Sequence, residues 1–310
     1  MREYFNFTLT AKKFLPIWLI LYFIVILPYL ICFKTLRTNT QVESLPPVIG
    51  FLYIIMMLGA LIIPFFIMKI SIESIKYSES QIHFEGKLGK YIGKILLGSI
   101  FTIITIGIYM AWFIKDLTRF MVNNSILNDT NFEFKGKGVK LLIIILLSMF
   151  LPFILLTLIM SKHISIINQN FFYFVIYQSV FTIILIPYMY LIYNWMVNVK
   201  FKDYQIKWQT DFFASCLKIL QEVIFSIITC GIYMPLAYVK LYKYFTERTI
   251  AETNDKTLQF GYELEAKDDF LFIWGQLLLT LVTVGIYYPW AYSKIGKRIL
   301  SKTYLENKNA

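Results

Sequence analysis

The chain has 310 residues, of which 58% are hydrophobic, 18% aromatic and only 16% charged, with a mean hydropathy of +0.62 and a net charge of +11 at pH 7. Soluble domains carry about 25% charged residues, so these values argue against a soluble globular protein, and the positive balance reads as membrane topology rather than a nucleic-acid footprint. Three cysteines (Cys32, Cys216, Cys230) and two histidines (His83, His163) supply neither a disulfide framework nor the ligand spacing of a zinc site.

In chain order, Phe5-Asn6-Phe7-Thr8-Leu9 alternates with the period of a strand. Residues 14–33 and 48–68 follow as charge-free runs, each long enough for a spanning helix, which takes about 20 residues. No small-residue cleavage site follows the first run, so a span rather than a removed leader is expected. Gln81-Ile82-His83-Phe84 is a second strand signal, and residues 95–114 form an apolar run that contains Thr105-Ile106-Gly107-Ile108-Tyr109. Phe132-Glu133-Phe134 then precedes the long apolar runs 141–161 and 171–199. Gln205-Ile206-Lys207-Trp208 precedes the run 223–239, which carries Thr229-Cys230-Gly231-Ile232-Tyr233. The alternating residues 258–264 precede the run 270–293, which carries Thr283-Val284-Gly285-Ile286-Tyr287.

The spacing is regular. Gly107 and Gly231 lie 124 residues apart, as do Pro28 and Pro152, and Pro64 and Pro187 lie 123 apart. Such self-similarity marks a repeat architecture: residues 1–130, 131–255 and a half-copy at 256–310, all in the membrane.

Charge placement orders these runs. If all seven apolar segments cross, basic residues divide almost evenly between the two sides. If the three Gly-Ile-Tyr segments leave and return on one side, only Lys34, Arg37 and Lys162 lie outside, against the other 27 of the 30 basic residues. The positive-inside rule favours the second arrangement, with both termini cytoplasmic. Gly107 follows only 12 apolar residues, about 18 Å of helix, short of a hydrocarbon core of about 30 Å. Glycine permits positive φ and proline removes a donor, so Gly107, Gly231 with Pro235, and Gly285 with Pro289 suit a short re-entrant hairpin. The alternative is a kinked ordinary span. The expected fold is therefore mainly α: four full spans, three short hairpins, and a five-stranded sheet at the cytoplasmic surface.

On these residues the chain resembles the YjgN family, also called DUF898. That family's pattern is a Phe-x-Phe-x-Gly stretch, an apolar helix, Thr-Leu-Gly-Ile-Tyr-x-Pro-Trp and a basic helix. Here Phe132-Glu133-Phe134-Lys135-Gly136 matches the first part, and Thr283 to Trp290 the third, through Gly285, Tyr287 and Pro289. The first copy has Ala111 in place of proline but keeps Trp112, and the second keeps Pro235 but has Leu236 in place of tryptophan. The resemblance implies a multipass protein of the bacterial inner membrane. It carries no established activity and no catalytic residue.

No enzyme is expected, since no nucleophile has a base within reach and no phosphate loop is present. Glu222, Asp116, Asp268 and Asp269 border apolar runs and read as solvated helix ends. Two functions are consistent with the sequence. In a transporter or channel, the glycines of the broken hairpins form the turn, Tyr109, Tyr233 and Tyr287 line it, and Thr105, Thr229 and Thr283 bond the freed carbonyls. In a scaffold that binds anionic lipids, the basic helices meet headgroups and Trp112 and Trp290 sit at the interface. Neither reading calls for a cofactor, a metal or a nucleic acid.

Overall fold

The computed structural model describes residues 2–38, 47–161 and 170–308. Lys162 and His163 lie outside the described residues. Within them the chain forms five successive segments, each a strand, a pair of helical arms and a second strand.

The first segment is β1 (Glu3–Phe7), α1 (Ala11–Leu21), a π-helical turn (Tyr22–Ile26), α2 (Leu27–Thr38), α3 (Pro47–Ile72) and β2 (Ile75–Tyr77). The second is β3 (Ser80–Gln81) with β4 (His83–Phe84), α4 (Leu88–Ile104), α5 (Met110–Asn123) and β5 (Ser125–Leu127). The third is β6 (Thr130–Phe134), α6 (Gly138–Ile145), a π turn (Leu146–Phe150), α7 (Leu151–Met160), α8 (Phe171–Ile184), α9 (Ile186–Met196) and β7 (Val199–Phe201). The fourth is β8 (Tyr204–Trp208), α10 (Phe212–Ile228), α11 (Met234–Thr246) and β9 (Thr249–Glu252). The fifth is β10 (Thr257–Tyr262), α12 (Ala266–Val282), α13 (Tyr288–Ser301) and β11 (Thr303–Asn307).

Each alternating stretch read from the sequence contains strand, though β1 ends at Phe7 and Gln81–Phe84 is split at Ile82, and the expected five-stranded sheet is corrected to one of eleven strands among the described residues. Each helical pair is followed by a second strand. The order is β3-β2-β1-β11-β10-β9-β8-β7-β6-β5-β4, with every pairing antiparallel. The two ends of that order are halves of one stretch, joined through Ile82, whose N–H donates to the Ile75 carbonyl. The sheet therefore closes on itself as a barrel, with the Ser80–Phe84 stretch bridging β2 and β5. Asn128 and Asp129, both at positive φ, make the tight turn between β5 and β6 that suits strand twist.

Register separates two faces. Lys207 and Glu252 form an ion pair on one face, as do Lys135 with Glu133 and Arg2 with Glu306. The opposite face carries Phe5, Ile75, Phe132, Val199, Ile206 and Phe260. Phe5 of β1 and Phe260 of β10 stack at 5.9 Å across the intervening β11, so this apolar face is the barrel interior.

Among the described residues, Ala11–Phe33, Gly50–Ile72 and Gly138–Ile159 are long and apolar enough to cross a membrane. The pair Phe171–Ile184 and Ile186–Met196, bent by 40°, makes a fourth if counted as one span. The π turns sit just before Pro28 and Pro152. A proline cannot donate to the carbonyl four residues back, and in each case the preceding leucine bonds one residue further back, Leu27 to Tyr22 and Leu151 to Leu146.

The core is a ring of small clusters at the joints between segments, not one central mass. Phe65 of the first segment packs with Phe84, Tyr91 and Phe120 of the second. Ala111 of the second packs with Phe134, Leu141 and Trp195 of the third. Ile186 and Tyr190 meet Ile219 of the fourth. Tyr288 and Tyr292 of the fifth return to Phe7, Phe14 and Ile70 of the first. Close packing of these large side chains holds the ring at its seams.

Candidate functional site

The three Gly-Ile-Tyr motifs have one geometry. Ile106, Cys230 and Val284 sit at φ of 51°, 50° and 50°, and Gly107, Gly231 and Gly285 at 90°, 86° and 89°. Each glycine N–H donates to the carbonyl five residues back, Thr102, Ser226 or Thr280, at 2.7 Å. Thr105 donates to the Phe101 carbonyl at 2.7 Å and accepts from the Tyr109 N–H at 2.9 Å, and Thr229 and Thr283 repeat this pair of bonds. The turns thus satisfy much of their own backbone. Two remaining carbonyls serve neighbouring segments: Trp274 donates to Ile232 and Trp18 to Gly285. Pro235 and Pro289 open α11 and α13, where a missing N–H costs nothing. Trp112 and Trp290 stack on Tyr109 and Tyr287.

The sequence-derived site residues are not brought together around one solute. Each turn caps its own helical pair, and its apolar tip faces outward; Ile106 is 94% exposed and Val284 69%. The Tyr233 and Tyr287 hydroxyls point back into their own hairpins.

There the structure holds a polar cluster that the sequence reading set aside. Glu222 does not border an apolar helix: it lies in the middle of α10, 1% exposed. The reading stopped the segment at the first charge, whereas the helix starts ten residues earlier, at Phe212. Glu222 accepts from Lys218 at 2.6 Å and from the Tyr233 hydroxyl at 2.8 Å, and Lys240 donates to that hydroxyl at 2.8 Å. In the fifth segment Gln276 takes the same place: it accepts from Tyr287 at 3.0 Å, and Lys294 donates to Tyr287 at 2.9 Å. In the second segment Gly98 stands there, and a Cβ added to it would meet the Phe113 ring at 2.1 Å. The 124- and 54-residue intervals align Gly98, Glu222 and Gln276, and this is the signal that would have found the cluster. Asp269 is likewise corrected from a solvated end: it is 1% exposed and is held by Arg298 and Lys302, each at 2.6 Å.

A second feature lies on the axis of the ring. Tyr238 of α11 stacks on Tyr242 and lies within electrostatic reach of Tyr193 of α9 and Tyr292 of α13. It is nevertheless 57% exposed, so it faces a void and not a packed joint. The Tyr292 hydroxyl donates to Ser71 of α3 at 3.0 Å. The first and fifth segments are thus joined by a hydroxyl pair, and Tyr193 and Tyr238 of the third and fourth carry further hydroxyls on α9 and α11. Where the helices enter the barrel, a cleft of about 410 Å³ opens, lined by Ile75, Ile82, Phe132, Val199 and Ile206 of the strands and by helix-end residues such as Met121. Farther along the barrel Tyr77 lies near Glu3 and Tyr204; burial, and then the Glu3 carboxylate, push its phenol above the ordinary value. Among the described residues no group of three His, Cys, Asp or Glu side chains could hold a metal.

No solved structure matches this chain. It is 36% identical over 80 residues to the inner membrane protein YjgN of Salmonella typhimurium strain LT2, a match that covers 26% of this chain and 20% of that protein. The family model described as a bacterial protein of unknown function matches residues 5–269. Those residues include all the strands of the barrel up to β10 and two of the three turns, and the chain belongs to the DUF898 family.

Proposed function

We propose that this protein is a multipass transporter of the bacterial cytoplasmic membrane whose path is the axis enclosed by its five segments. In this reading the segments are copies of one strand–hairpin–strand unit, and the two long ones cross the bilayer. The three short ones turn back inside it, and both termini are cytoplasmic. The observation that carries the reading is the apolar cleft on the inner face of the barrel, beneath helices that bear the hydroxyls of Tyr193, Tyr238 and Tyr292. A ring closed in both its helices and its strands has an inside that lipid does not fill. The path differs from the one expected at the glycine turns, whose donors are already engaged. Transport into proteoliposomes tests it with labelled fatty acids, amino acids and sugars. Val199→Trp, which fills the cleft, should cut flux at least tenfold, and Lys207→Ala on the outer face should leave it unchanged. Equal flux through both variants rules out the axial path.

A second reading, a lipid-binding scaffold, is favoured by the outward apolar tips at Ile106 and Val284. It is weakened by the engagement of basic side chains within the protein: Lys240 with Tyr233, Arg298 and Lys302 with Asp269, and Lys243 with Glu247. Bound anionic lipid that disappears on Lys115→Glu with Lys297→Glu supports it.

A further inference from the structure

We infer that the cleft at the helix–barrel junction binds a single-chain amphiphile, an alkyl chain with a small hydrogen-bonding head of the fatty-acid class. The inference rests on the axial-transport reading and names its cargo. The cleft wall comes from strands β2, β5, β6, β7 and β8 and from the Ile82 link. It therefore lies inside the closed ring, where no folded partner can cover it. Its lining is almost wholly apolar, and the one hydroxyl, Ser125, already donates to the Met121 carbonyl at 2.9 Å. The cleft opens toward the helices, and its volume of about 410 Å³ is that of a small-molecule site, not of a packing defect. A sugar or amino acid entering it would lose its hydration and find no polar partner in return. An alkyl chain loses nothing by leaving water or lipid for the same wall.

Polar groups lie on either side of the cleft. Toward the helices are the hydroxyls of Tyr193, Tyr238 and Tyr292, and toward the far end of the barrel Tyr77, Tyr204 and Glu3. A carboxyl or hydroxyl head is stabilised by the tyrosines while its chain fills the space between Ile75 and Ile206. The carboxylate of Glu3 at the opposite end disfavours an anionic head there, so the head faces the helices. The short hairpins leave a route from the bilayer. Helix α4 has 17 residues, about 25 Å, so its tip at Gly107 stops short of the far side of a hydrocarbon core of about 30 Å.

The test uses the purified full chain and a palmitic acid that carries a photoreactive diazirine on its chain. Adducts are expected on peptides containing Ile82, Val199 or Ile206. Excess unlabelled palmitate should suppress them, and alanine or glucose should not. Val199→Trp should reduce them at least tenfold, and mapping of the wild-type adducts decides the matter if that variant fails to fold. Adducts confined to the outer helix surface, at Ile106 or Leu158, and unaffected by competitor overturn the inference. Cleft adducts with no palmitate uptake into proteoliposomes keep the site and discard transport. Uptake of a sugar or amino acid with no cleft adducts keeps transport and discards this cargo.

Discussion

At the scale of single residues, Glu222 shows most clearly what a linear reading loses. A carboxylate beside a hydrophobic run reads as a solvated end, because the run is defined by the absence of charge. The folded helix takes in Lys218 and Glu222 one turn apart and buries Glu222 against Tyr233. The neighbouring segment supplies its own control, since Gln276 makes the tyrosine bond without a charge. Glu222→Gln should therefore keep the hairpin and cost about 1 kcal/mol, the net worth of one hydrogen bond, because Lys218 is 27% exposed and can turn toward solvent. Glu222→Leu also leaves the Tyr233 hydroxyl proton without an acceptor and should cost about 2–3 kcal/mol. Thermal melting in detergent separates the two, and a leucine variant as stable as the glutamine one would contradict this account.

Among the elements, the first strand of each segment was legible and the second was not. Gln205 to Trp208 alternates over four residues, enough for a period of two to register. Ser125–Leu127 and Val199–Phe201 have three residues each and follow a helix without a break in composition. They are strands because neighbouring strands present hydrogen-bonding edges to them, a tertiary cause with no local signature. The turns were legible for the opposite reason. Positive φ at two consecutive positions restricts the residue types strongly, and glycine at the second recurs three times. Gly231→Ala should destabilise by about 1–2 kcal/mol, the cost of a left-handed conformation for an ordinary residue. Gly275→Ala lies within α12 with open space around its Cβ position, and should stabilise by about 0.4–1 kcal/mol. The opposite signs, read as melting shifts on one background, are the check. Cysteines placed at Ser80 and Asn128, on a background lacking the three native ones, probe the hairpin they flank. Both should resist an impermeant thiol reagent in intact cells, and labelling of one alone would mean that the segment crosses.

For the whole molecule, closure is the property that individual signals could not convey. The internal repeats implied similar units but not how many strands each gives, nor that the last meets the first. That joint is made by β1 and β11, with Glu3 opposite Leu305 and Tyr4 opposite Tyr304, and Arg2 reaches both Glu306 and Glu263. The ion pairs are about half exposed, so Arg2→Ala should cost no more than about 1 kcal/mol. Ending the chain after Lys302 is a different perturbation. It removes a strand paired with β10 along its whole length, leaves β1 and β10 as open edges, and uncovers the stacked Phe5 and Phe260. Unpaired edges beside apolar side chains recruit other chains. The truncated protein should therefore elute as aggregate in size-exclusion chromatography while Arg2→Ala elutes as the parent does. A truncated protein that stays monodisperse and melts with the parent would mean that the helical ring, and not barrel closure, holds the five segments together.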